Sequence, residues 1–277
     1  MHEIGYKTMT VQMSPRVIEA FPVLDTVLDR RVSARDISLA PCVALVGCDG
    51  SGKSTLARDL TALLNAVSPT RSIYLGLGTG DLGRSIGRLP LIGSLLERFL
   101  TTKAGKAHSG TEKRLPGLMT ALVMFAFSLA RWRRFGQVIA LRRHGIRVVS
   151  DRYPQAELAG RFDGPGLNWT RRGSALVERL ATRERLLYEQ MAAYQPTLVV
   201  RLNVDADTAM ARKPDHRRDL LDAKLAIVPT LKFGGARIVD VDATRPYAEV
   251  LAAVYALVQM EGVIPSIARV QGEALAA

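Results

Sequence analysis

Gly47, Gly52, Lys53 and Ser54 fall in the order G-x-x-x-x-G-K-S within the run GCDGSGKST. That spacing suits the binding of a polyphosphate. Glycines let the backbone curl so that successive N–H groups face a β-phosphate, and a helix beginning near Lys53 adds the positive end of its dipole. Lys53 would bridge β- and γ-oxygens and the Ser54 hydroxyl would bind magnesium, the neutralisation that phosphoryl transfer requires. Gly47, Asp49, Gly50, Ser51, Gly52, Lys53, Ser54 and Thr55 are therefore the expected donor-side residues, with ATP and Mg2+ as ligands. The alternative is a glycine turn that merely joins strand to helix. Asp49 is repelled by a triphosphate unless it has a task, such as orienting an acceptor hydroxyl or a magnesium-bound water. It is expected among both the catalytic and the acceptor-binding residues, whereas Cys48 reads as a small filler.

A second constellation follows a buried apolar run, where Val148, Val149 and Ser150 lead into Asp151-Arg152-Tyr153. The carboxyl end of a strand in an open α/β sheet is where ligands bind. Asp151 can hold magnesium or polarise an attacking oxygen, and the Arg152 guanidinium can clamp two phosphates while staying charged. A strand-end salt bridge is the alternative, and Tyr153 is either a packing aromatic or an acceptor contact. The third is Arg212-Lys213-Pro214-Asp215-His216-Arg217-Arg218, whose cations repel one another unless an anion joins them. A lid over about 208–225 that closes on phosphates meets that condition; an exposed basic helix end is the other reading.

Together GCDGSGKST, the SDRY run and ARKPDHRR resemble the thymidylate kinase group of nucleoside-monophosphate kinases, over about residues 40–260. The resemblance implies a P-loop kinase fold and transfer of the ATP γ-phosphoryl to a nucleoside monophosphate such as dTMP. It places Asp151 and Arg152 between donor and acceptor phosphates, and Arg212 along the adenine. Lys213, Arg217 or Arg218 would reach the transferred phosphoryl, since Ser51 stands where some members carry a phosphate-loop arginine. Ala243 and Thr244, after the last strand, would border the adenine. The acceptor side departs from the family: YLGLGTGDLGRS replaces the Arg-Glu-Pro grip, leaving Arg84 as its substitute. PQAELAGRFDGPG replaces the segment that stacks on thymine, leaving Arg161 and Asp163 either to read another acceptor or to stand as exposed loop residues with no ligand role. A kinase for a nucleoside, sugar or polyol phosphate therefore stays open, as does a nucleotide-dependent regulatory ATPase with a basic surface.

These residues need a scaffold that gathers them, and the chain alternates short β-branched runs with helical patterns. The runs are Cys42–Val46, Ser72–Leu75, Val148–Ser150, Thr197–Asn203 and Arg237–Val241. That grammar predicts an α/β fold, a parallel sheet of about five strands with helices on both faces. Residues 1–40 read as an N-terminal extension with a helix near Ser14-Pro15, and 41–262 as the kinase domain with an insertion at about 76–116. The stretch 263–277 reads as a tail.

At 277 residues, 48% hydrophobic and 23% charged, the chain reads as an ordinary folded protein. The apolar run Leu118–Ala130 is shorter than the roughly 20 residues of a spanning helix, so it reads as a core helix with a solvated basic end at Arg131, Arg133 and Arg134. Cys42 and Cys48 have no metal-ligand spacing. The N-terminus lacks a secretory pattern, so the cytoplasm is expected. The net charge of +12 draws polyanions; nucleic acid or an acidic membrane is an open but less favoured partner beside ATP and a small acceptor. A homodimer also stays open.

Overall fold

The computed structural model describes residues 39–77, 117–160, 162–168, 174–214 and 218–263. Expectations for the extension 1–38, for most of the insertion, for Arg84, Arg161 and Arg217, and for the tail beyond 263 lie outside them. The chain divides after Ile37, and all that follows concerns the second unit.

Five strands form one parallel sheet: β1 (Cys42–Gly47), β2 (Thr70–Tyr74), β3 (Arg147–Asp151), β4 (Leu198–Asn203) and β5 (Ile238–Asp242). Between them run α1 (Lys53–Val67), α2 (Leu118–Arg143), α3 (Ala175–Ala192), α4 (Ala206–Arg212) and α5 (Arg218–Ile227); α6 (Tyr247–Met260) follows β5. The spatial order is β2-β3-β1-β4-β5. This is the α/β arrangement of a P-loop kinase.

Successive side chains of a strand point to opposite faces, so β1 contributes to two cores. Val43 and Leu45 pack with Leu56 and Leu60 of α1 and Val254 of α6. Cys42, Ala44 and Val46 pack with Phe135 and Val138 of α2 and with Tyr188 and Met191 of α3. All of β1 is buried, which is why its sequence is apolar without alternation.

Register brings the chemistry to one edge. Leu45 and Tyr74 both pair with Asp151, while Gly47 pairs with Leu202 and Asn203 with Asp242. The carboxyl ends of all five strands thus lie along one rim, and the order reverses about β1, which opens a crevice there.

Three expectations are corrected in detail. β2 begins at Thr70, earlier than Ser72, because the Thr70 N–H is anchored by Asn65 Oδ1 at 3.0 Å and pairs with Arg147. The apolar run from Leu118 is only the first half of α2. Its basic end is not wholly solvated: Arg131 has no exposed surface and Arg142 is buried, although Arg133 is exposed. Arg131 can be buried because Asp163 and Tyr188 receive its guanidinium. Asp205 caps α4, accepting from Thr208 N–H at 2.7 Å. Among the described residues, no helix is long and apolar enough to cross a membrane.

Candidate functional site

The loop from β1 to α1 is shaped by its glycines. Gly50 has φ of +86°, and a Cβ there would lie 2.6 Å from the Ala209 carbonyl oxygen. A side chain at Gly47 would meet the Leu202 carbonyl oxygen at 2.7 Å. Both positions therefore exclude larger residues on steric grounds. The loop delivers Lys53 into a nearly closed position, 5% exposed. Its ammonium donates to the Cys48 carbonyl at 2.5 Å and to Ser51 Oγ at 3.3 Å. Burial, seconded by the nearby Arg152 charge, pushes the Lys53 amine down to about 8, against the pull of Asp49 and Asp151.

Ser54, in the first turn of α1, donates its hydroxyl to Asp151 Oδ2 at 2.5 Å. Asp151 is 4% exposed, and its Oδ1 has no hydrogen-bond partner among the described residues. A hydroxyl and a carboxylate with a spare buried oxygen are hard donors of the kind magnesium takes, so this pair fits that ion.

Arg152 adopts φ of +73°, a conformation that costs energy for a residue with a side chain. Its amide is secured by Leu45 O at 3.0 Å. Its guanidinium reaches Asp49 Oδ1 at 2.9 Å and Asp163 Oδ2 at 3.4 Å. Asp163 also accepts from Arg131 at 2.6 Å, and Arg131 in turn reaches the Tyr188 hydroxyl at 3.0 Å. A ladder of alternating charge thus runs from the phosphate loop into the space between α2 and α3. Asp163 raises the affinity of Arg152 for its proton, and Asp49 adds to the effect against the cost of burial. Burial alone would raise the Asp49 carboxyl, but Lys224, Arg152 and Lys53 together hold it well below the carboxylate range. Burial likewise opposes the ionisation of Asp163, and Arg152 and Arg131 overcome it.

Two clefts flank the loop. One, of about 440 Å³, opens beside the Ser54–Asp151 pair and is lined also by Ala57, Arg58, Thr61, Ser72 and Tyr74. The other, of about 210 Å³, lies on the opposite side between Ser51, Gly52, Thr55 and Leu56 and the chain from Ala243 to Val250, with Arg212 at its edge. Arg212 donates to Ala243 O at 2.9 Å and to Gly50 O at 3.4 Å, so the residues expected around a base are brought together. Thr244 is set by Asp242 Oδ1, which accepts from its amide at 2.9 Å and its hydroxyl at 2.6 Å.

Two expected residues sit elsewhere. Tyr153, read as either a packing aromatic or an acceptor contact, is turned into the core as the former: it is 2% exposed, donates to Tyr194 O and meets Phe135 edge-on at 5.8 Å. Arg218 is paired with Asp207 at 2.6 Å and Asp222 at 3.6 Å, on a half-exposed face of α4 and α5. Conversely, Lys224, Arg245 and Tyr247 border the site without having been singled out. Lys224 forms an ion pair with Asp49, and Tyr247 donates to Asp59 at 2.6 Å. Nothing local in the sequence marks Lys224, whereas Tyr247 could have been found from its place directly after Pro246, at the start of the last helix.

No protein-family model matches the chain. It is 43% identical over 223 residues to the uncharacterized ATP-binding protein YghR of Escherichia coli K12, covering 80% of this chain and 88% of that protein. It is 44% identical over 212 residues to the uncharacterized ATP-binding protein YghS of the same strain, covering 76% and 89%. It is also 27% identical over 184 residues to the thymidylate kinase of Hahella chejuensis, 65% of this chain and 71% of that enzyme.

Proposed function

Because the chain belongs to the family of the ATP-binding proteins YghR and YghS, we propose that it binds ATP and is a phosphotransferase resembling thymidylate kinase. Its acceptor in this reading is a nucleoside monophosphate such as dTMP. The observation that carries the reading is the meeting of Ser54 with Asp151, whose second oxygen is buried and has no hydrogen-bond partner among the described residues, beside the phosphate-loop lysine and Arg152. A loop that only bound Mg-nucleotide would use the carboxylate but would not need a guanidinium held beside it from the adjacent strand end.

Lys53 and the loop amides bind the β- and γ-phosphates, and the cleft bordered by Arg212, Ala243 and Tyr247 takes the base. Ser54 and Asp151 would hold magnesium, which when bound neutralises phosphate charge. In the transfer, an acceptor oxygen forms its bond to the γ-phosphorus with its own electron pair. The bond from that phosphorus to the β,γ-bridging oxygen breaks, and its pair leaves on ADP. Arg152 keeps a fixed positive charge between the two phosphates, oriented by Asp49 and Asp163. Asp49 is a weak base because of its cationic neighbours, which favours an acceptor that arrives already anionic, as a phosphate does, over an alcohol that must lose a proton.

A second reading, a kinase for another small acceptor, is favoured by the replaced acceptor loops. Coupled ADP release with magnesium and ATP separates the readings, run across nucleoside monophosphates, nucleosides and sugar phosphates with Lys53→Ala as the blank. Stimulation by dTMP or another monophosphate supports the nucleotide-kinase reading. Stimulation confined to sugar or polyol phosphates overturns it for the second, and ATP binding without stimulation by any acceptor points to a regulatory ATPase.

A further inference from the structure

Helix α5 directs its lysine toward the phosphate loop and its first arginine away from it. Lys224 Nζ is ion-paired with Asp49 Oδ2, whereas Arg218 is occupied by Asp207 and Asp222. Packing explains the difference. Leu221 is 3% exposed and forms one apolar cluster with Cys48, Val204 and Ala209, with Leu225 against its margin. Arg218 and Lys224 each lie three residues from Leu221, in opposite directions along the helix, so they flank it on opposite sides. With Leu221 seated against Cys48, a residue of the loop itself, Lys224 stands on the flank toward the loop and Arg218 on the flank toward Asp207 of α4.

Asp49 holds Arg152 through one oxygen and Lys224 through the other, and Lys53 lies close enough for its charge to act on the same carboxylate. Three cations, Arg152, Lys224 and Lys53, thus converge on one carboxylate beside the place where a phosphate would sit.

Resting on the phosphotransfer reading above, we propose that Lys224 is a catalytic residue of this site. Its ammonium contacts the transferred phosphoryl group, and Asp49 holds it beside the loop. As the acceptor oxygen bonds to the γ-phosphorus and the bridging oxygen departs with its electron pair, negative charge lies on the three equatorial oxygens. Lys224 offers them a hydrogen bond and a charge and gives up no proton. This is the part the sequence assigns to Lys213, Arg217 or Arg218. Because α5 is seated on the loop through Leu221, the cation is in place without a large closure of the chain between α4 and α5.

The test needs no acceptor: affinity for Mg-ADP is measured with and without aluminium fluoride, which mimics the phosphoryl group in flight. Lys224→Met is expected to lose about 100-fold of the fluoroaluminate tightening, the scale of one lost donor to a transition-state oxygen. Affinity for Mg-ADP alone should change less than about threefold, since an interaction confined to the transition state does not alter ground-state binding. Lys224→Arg should restore part of the tightening, and Arg218→Ala should keep it. The loss should also persist when Lys224→Met is made in an Asp49→Asn background, which separates contact with the phosphoryl from mere neutralisation of Asp49. Equal tightening in wild type and Lys224→Met overturns the assignment. So does a loss that disappears in the Asp49→Asn background, and so does a wild type that binds Mg-ADP but gains nothing from aluminium fluoride. Acceptor-stimulated ADP release by the wild type reports separately on the kinase reading: turnover with a Lys224-independent tightening sinks only this inference. A Lys224-dependent tightening without turnover on any acceptor sinks only that reading.

Discussion

Lys53 gives the sharpest solution test, because its burial links nucleotide affinity to pH in a direction that can be worked out beforehand. In the free protein its amine is pushed down to about 8 from an ordinary 10.5. A bound polyphosphate favours the charged form, so the bound protein holds this proton to higher pH. At pH 7 about nine-tenths of the free protein carries the proton, and at pH 9 about one-tenth. Affinity for Mg-ADP should therefore fall about tenfold between pH 7 and pH 9, roughly 1.4 kcal/mol. Binding should take up about 0.1 proton at pH 7 and about 0.9 at pH 9. Calorimetry in two buffers of different ionisation enthalpy reads the uptake directly, and the second phosphate ionisation near pH 6 lies below this range. Stability of the free protein should slope the other way. Between about pH 8 and 10.5 the unfolded chain holds a proton that the folded one has released, so unfolding free energy rises with pH over that window. Lys53→Met should remove both slopes. A Kd that is flat to pH 9 with no proton uptake would refute the claim that this lysine is held buried over the loop.

Other consequences can be checked independently. Arg152→Ala should lower the rate of transfer by about 100-fold or more while weakening ATP binding far less; equal losses in kcat and affinity would make it a donor-site clamp only. Asp163→Ala leaves Arg131 buried without its carboxylate and should cost about 3–5 kcal/mol by denaturant unfolding; Asp163→Asn, which keeps one acceptor oxygen for Arg131, should cost less. Because the Asp163 carboxyl is held below its ordinary range, its contribution is present at neutral pH and is lost as the pH falls through the acid range. Acid titration of wild type should thus be steeper than that of Asp163→Asn. Tyr247→Ala should weaken binding of ATP but not of inorganic triphosphate, since the ring lines the cleft assigned to the base; an equal effect on both ligands would remove it from that wall.

What was legible in the sequence and what was not divides along a physical line. The phosphate loop could be read because every atom that shapes it lies within a few residues: glycines set the backbone, and Lys53 and Ser54 follow at the start of α1. The strands could be read because burial on both faces leaves a continuous apolar run, as in Cys42–Gly47. The meeting of Arg212 with Ala243, 31 residues apart, was reached through the family resemblance and not from local spacing. Charges whose partners come from far along the chain were not legible. Arg131 sits in a run of arginines that looks solvated, and only the fold shows that Asp163 receives it. Arg218 and Lys224 lie on one helix with similar neighbours, and which of them faces the loop depends on where Leu221 finds its pocket against Cys48. Tyr153, directly after the Asp151–Arg152 pair in sequence, lies beyond the end of β3, where the left-handed backbone at Arg152 breaks the strand's alternation and the ring enters the core. A basic run read from sequence alone is therefore a supply of cations with no addresses. The addresses are assigned by the apolar residues between them, so substituting Leu221 should disturb the placement of Lys224 as much as any change to the charges themselves.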